Sequence, residues 1–121
     1  SLRRMLDPIK EHVDNNFNPL PAEYTKEFAP VRQKINDLMR MSCELIETGR
    51  YDSYREILAE ADACKDELSV LRKKHIDRIQ HMTDNTLMQI SLVYLNVLQE
   101  SQEFLSVMRH QLRAAKKFME K

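Results

Sequence analysis

The chain has one glycine, no tryptophan and four prolines, all within its first thirty residues. Beyond residue 30 almost nothing in it would interrupt a long helix, because glycine and proline are the two residues that do so at large cost. A single glycine also rules out a glycine-rich phosphate loop. Neither sign of charge is in excess: Lys+Arg and Asp+Glu stand at 19 each. There is therefore no net basic field to gather a phosphate backbone and no acidic tail, and nucleic acid is not an expected partner. Long hydrophobic runs are missing too. The most apolar stretch, Ile90 to Leu98, contains Ser91 and Asn96 and gives way to Gln99 and Glu100. A membrane span needs about 20 mostly apolar residues, so this stretch is too short. No sustained apolar segment follows Ser1 to Arg4, which excludes a signal peptide from the residues at hand. The absence of an initiator methionine suggests a domain excised from a longer chain.

What remains is a sequence patterned for helices. The length of 121 residues fits one domain able to bury a modest core. In "LDPIKEHVDNNF", Asp7 reads as an N-cap and Pro8 as the first helical residue, giving a short first helix to about Asn16. "NNFNPLPAEYT" reads as a linker, since prolines push the residues before them toward extended geometry. From Pro30, Val31, Ile35, Leu38, Ser42 and Leu45 alternate by four and three and stop at Gly49, placed for a left-handed helix cap. This helix begins at Pro30, or as early as Ala22 with a kink at Pro30. Ser53 and Glu56 then have capping-box spacing, and a stripe follows through Tyr54, Ile57, Ala61, Cys64, Leu68, Leu71, His75, Ile79 and Met82. Thr83 or Asp84 caps the last helix, whose stripe runs Leu87, Ser91, Tyr94, Leu98, Ser101, Leu105, Met108, Leu112, Ala115 and Met119.

Short turns make neighbouring helices antiparallel. The expectation is an all-α protein, an up-down-up three-helix bundle over residues 22–121, with residues 1–21 as a short extra N-terminal helix and a proline-containing linker. In its first half the last helix adds Met88, Ile90, Leu92, Val93, Leu95 and Val97 to its stripe. A helix apolar on nearly all sides is enclosed by protein. This half is placed between the other long helices and a second subunit.

Candidate chemistry is sparse. Folding the chain about Gly49 leaves Cys43 about 12 Å along the axis from the level of Cys64, beyond the 7 Å or so that a disulfide allows. Two reduced thiols follow. His75 takes a seam position opposite Ser91, where a hydroxyl or carbonyl can satisfy it. Carboxylates recur four residues apart at Glu23 and Glu27, Glu56 and Glu60, and Asp62 and Asp66, as solvated helix faces do. The same arithmetic sets Asp62 and Asp66 across from Glu100 to Glu103, so Asp62, Asp66, Glu100 and Glu103 are the one candidate metal site. No Ser/His/Asp or Cys/His set has catalytic spacing, so an enzyme is not expected. "RHQLRAAKKFMEK" is a basic helix end that complements the negative end of the helix dipole, or contacts a membrane surface.

One resemblance takes the reading further. "ISLVYLNVLQESQEFLSVMRHQLRAAKKF", preceded by "LRKKHIDRIQ", resembles the PhoU-like cytoplasmic domain that follows the membrane region of bacterial sodium/phosphate cotransporters. Its elements here are the basic stretch Arg72 to Gln80, the Ser91 to Leu95 segment, Glu100 with Ser101, and Leu112 with Arg113. The resemblance implies a PhoU-type bundle on the cytoplasmic face of the bacterial inner membrane. It would regulate or assemble the transporter without catalysis, with the membrane domain of the same polypeptide as partner and a homodimer as a further association. Two alternatives stand beside it: a free-standing PhoU-type regulator binding a divalent or ferric ion, or, from the apolar first half of the last helix, a helical dimerisation or adaptor module. PhoU proteins repeat a Glu/Asp-x-x-x-Asp metal motif on adjacent helices. Only Asp62 to Asp66 matches it here.

Overall fold

The computed structural model describes residues 2–120. Four helices account for nearly all of them: α1 (Leu2–Phe17), α2 (Ala22–Thr48), α3 (Tyr54–Gln80) and α4 (Asn85–Met119). The protein is all-α. Cross-helix pairs fix the directions. Arg32 meets Asp14, Lys34 meets Glu67, Arg109 meets Asp62, and His12 meets Glu100, so helices consecutive in the chain run antiparallel, as do α1 and α4. By contrast α2 and α4 run parallel, with Tyr24 meeting Ser91 and Glu27 meeting Tyr94. The long α4, about 52 Å at 1.5 Å per residue, packs against all three of the others.

The N-terminal segment departs from expectation. Rather than starting at Asp7, α1 begins at Leu2 and carries Pro8 in its interior. Proline there costs roughly 3 kcal/mol. Burying Leu2 and Leu6 on the N-terminal side of it, at about 1.5 to 3 kcal/mol each, offsets that cost. Leu2, Leu6, Val13, Phe17 and Leu20 belong to the same hydrophobic core as the three longer helices. The segment expected outside the bundle is thus a packed member of it, lying chiefly against α4.

The remaining boundaries follow local chemistry. The turn between α1 and α2 spans only residues 18–21, and the Pro21 carbonyl accepts from the Tyr24 and Thr25 amides. Starting at Ala22, α2 holds Pro30 on its exposed side, where water can take the carbonyl that the missing N–H leaves free. Gly49 ends α2 at φ 69° and donates its amide to the Leu45 carbonyl, the left-handed cap expected of the only glycine. Ser53 precedes α3, but its side chain makes no capping bond, so the capping box is not formed. Asp84 caps α4 by accepting from the Leu87 amide at 3.0 Å.

Along the seams, Val31, Ile35, Leu38, Ile57, Ala61, Cys64, Leu68, Tyr94, Leu98, Leu105, Met108 and Leu112 are buried as their spacing predicts. The stripe frays at both ends of α4, where Leu87 and Met119 are exposed. The first half of α4 is not enclosed on all sides either. Leu92 and Val93 are exposed, because α1 reaches α4 lower down, through His12 to Glu100, and leaves the upper turns uncovered. Cys43 and Cys64 are buried free thiols, and burial pushes the Cys64 thiol up to about 11. No helix is long and apolar enough to cross a membrane among the described residues.

Candidate functional site: a polar clamp joining three helices

The densest polar cluster lies where the N-terminal end of α2, the C-terminal end of α3 and the first turns of α4 meet. At its centre is the Glu27 carboxylate, on α2, with only 13% of its side chain exposed. Tyr94 of α4 donates its hydroxyl to Glu27 Oε1 at 2.9 Å, and Lys74 of α3 donates to Oε2 at 3.0 Å. Arg78, one turn beyond Lys74, grips both oxygens: Nη1 reaches Oε1 at 3.3 Å and Nη2 pairs closely with Oε2. Burial alone would push the Glu27 carboxyl up. Donation from Arg78, Lys74 and Tyr94 outweighs that, and it is held below the usual carboxylate range. Burial and the Glu27 charge together push the Tyr94 phenol far above its ordinary value, so this hydroxyl remains a donor and not a nucleophile.

Beneath the carboxylate sits His75, fully buried. A carbonyl can only accept, so the 2.7 Å contact between His75 Nε2 and the Ser91 carbonyl places the ring proton on Nε2. The other nitrogen, Nδ1, then accepts from Arg78 Nη1 at 3.3 Å. The Ser91 hydroxyl shares a 2.7 Å hydrogen bond with the Tyr24 hydroxyl. Tyr24 stacks on Tyr94 with centroids 4.6 Å apart, and the edge of His75 approaches both rings, at 4.9 Å and 4.7 Å. Burial holds the His75 ring below its usual pKa; the Ser91 carbonyl opposes this and Arg78 adds to it. Every polar group in the cluster has a partner, which gives it rigidity rather than reactivity. The arrangement can hold three helices in one register and respond to whatever protonates His75 or removes a partner from Glu27.

The sequence placed His75 opposite Ser91, and the two are bonded. Glu27 is different: its spacing from Glu23 reads as a solvated face, yet it is the hub. The overlooked signal is the register already used for the cysteines, which sets residue 27 opposite about residue 72, within a turn of both Lys74 and His75. Tyr24 was overlooked because a helix starting at Pro30 leaves it in a linker.

The four candidate metal ligands do not converge. Asp62 pairs with Arg109 at 3.0 Å. Glu100 faces His12 of α1 at 3.4 Å, and Glu103 lines a shallow groove with Pro8, Ile9, His12, Glu100 and Val107. Asp66 is exposed on α3. The axial level was read correctly, since Gln102 donates to the Lys65 carbonyl and the Ser69 hydroxyl. The azimuth was not. Residue 102 faces α3, which turns 100 and 103 toward α1. Among the described residues no group of three His, Cys, Asp or Glu is placed to hold a metal ion.

Comparison of the chain with protein-family models, curated proteins and solved structures finds no match.

Proposed function

We propose that this chain is a non-catalytic accessory domain that regulates or assembles a sodium-dependent phosphate cotransporter. It works on the cytoplasmic face of the bacterial inner membrane through contact with the membrane domain. One observation carries the reading: two of the four elements that bear the resemblance to the PhoU-like domain supply the share of the clamp that comes from α3 and α4, although its hub Glu27 and Tyr24 lie outside them. Lys74, His75 and Arg78 come from its basic stretch, and Ser91 and Tyr94 from its second element. Over those two elements the pattern coincides with a three-helix joint and not with scattered surface positions. On this reading α2, α3 and α4 are the PhoU-like unit and α1 is an addition to it. A joint of satisfied polar groups suits a domain that passes on a conformational state, because its groups are bonded to one another and none is left to react.

The test is to delete the coding region for residues 1–121 in the host. Uptake of labelled phosphate is then measured in sodium and with sodium replaced by choline. The sodium-dependent component is expected to change in rate or in its response to phosphate supply. An unchanged sodium-dependent component contradicts the proposal.

A further inference from the structure

At the end of the bundle away from the clamp, a groove of about 610 Å³ lies between the last turns of α4 and the start of α3. That volume is in the range of small-ligand sites. Ala114 forms the floor, and His110, Arg113 and Lys117 stand around it on the same helix, four and one residues before it and three after. The concavity comes from one small side chain set among three long ones. Tyr54, the first residue of α3, closes the opposite side, so the positive end of the α3 dipole faces the same end of the bundle.

The cations here differ from those along the helix seams. Lys34, Arg78 and Arg109 each meet a carboxylate. Among the described residues, Arg113, Lys117 and His110 have no ion-pair or hydrogen-bond partner. The carboxylate in the groove, that of Glu120, is taken by Lys116, whose ammonium also sits 5.2 Å from the centre of the Tyr54 ring. Three cations therefore stand against one carboxylate before His110 is counted. Compensation of the helix dipole accounts for Lys116 and Lys117 only, because that effect fades within the last turn. Arg113 and His110 lie six and nine residues before Met119, where α4 ends.

We propose that this groove binds a chain of phosphoryl groups, the chemistry shared by a polyphosphate and the phosphate tail of a nucleotide. From His110 to Lys117 the donors span about 10 Å along the helix axis, more than the oxygens of one phosphate can bridge. The Arg113 guanidinium offers a fork to two oxygens of one group, and Lys117 a compact charge to the next. A bilayer surface spreads its charge over a plane and needs no concavity, whereas donors gathered around a recessed floor suit a discrete anion. The binding does not depend on the transporter reading.

Isothermal titration calorimetry of the chain with inorganic tripolyphosphate at physiological salt tests it. Saturable binding is expected, tighter than that of orthophosphate. Adenosine triphosphate should bind as well, and the tighter of the two identifies whether the groove reads the bare chain or a nucleotide. Arg113→Gln combined with Lys117→Gln should weaken binding at least about tenfold. Ala114→Glu, which sets a carboxylate on the floor and keeps a good helix former there, should do the same. All three positions are exposed, so helicity should not change. Lys26→Gln combined with Lys73→Gln removes equal charge from exposed positions near the other end, and should leave affinity within about twofold. Absence of saturable binding overturns the proposal, and so does equal weakening by the two double variants. Binding to phosphatidylglycerol vesicles but to no soluble phosphate also overturns it, and assigns the cations to a lipid headgroup.

Discussion

Arg78 donates to His75 across 3.3 Å, and only the neutral imidazole can accept that bond. Protonating the ring would set two cations against each other inside a fully buried site. The clamp should therefore weaken as the medium becomes acid. His75 has a folded pKa below its ordinary value of 6.5, so the unfolded chain takes up the proton first. The contribution to stability is complete above that value and is lost as pH falls below it. Glu23, Glu27, Lys74, Arg78, Tyr24 and Tyr94 are the titratable and charged groups that face the ring, and the Glu27 carboxyl is held below the usual carboxylate range. Denaturant midpoints are expected to drop as pH falls below about 6.5 in the natural chain and to flatten in His75→Gln. An equal slope in both would remove His75 as the titrating group.

The position of α1 gives a second prediction. Leu6 is fully buried in the common core, as is Leu98 of α4. Truncating either to alanine should cost about 2 to 5 kcal/mol, since each leaves a cavity. If α1 were an appendage, Leu6→Ala would cost less than about 0.5 kcal/mol in urea titration, as surface substitutions do.

Asp62 provides the contrast. Its pairing with Arg109 lies at the surface, with 53% of the Asp62 side chain exposed. Asp62→Ala should change stability by no more than about 1 kcal/mol. Metal content after purification should be the same with and without the substitution. A loss of bound metal in the variant would restore the carboxylate site that the side-chain directions argue against.

Much of this architecture was legible in the sequence because seam spacing and turn lengths are local properties. Gly49, Asp84 and the His75 to Ser91 level could be read from periodicity and one folding rule. Two things could not. Pro8 looks like a helix start until the burial of Leu2 and Leu6 is known, and that burial depends on α4 having a free flank. The carboxylates needed an azimuth as well as a level. With α1 left outside the bundle, nothing indicated that Glu100 and Glu103 turn toward it. Glu27 was hidden for a related reason: its charge suggested solvent, and only the partners on α3 and α4 reveal that it is enclosed.

The central claim is that Glu27 holds α2 to α3 and α4 through Arg78, Lys74 and Tyr94. A double-mutant cycle tests it most directly, with Glu27→Gln, Arg78→Met and the pair together compared by denaturant titration. Removing one partner strands the other in a site that is largely closed to water, so each single change should cost about 2 to 3 kcal/mol, less than for a fully buried pair because both groups keep some exposure. The pair together should cost clearly less than the sum, with a coupling of at least about 1 kcal/mol. Additive losses, with no coupling, would contradict the clamp.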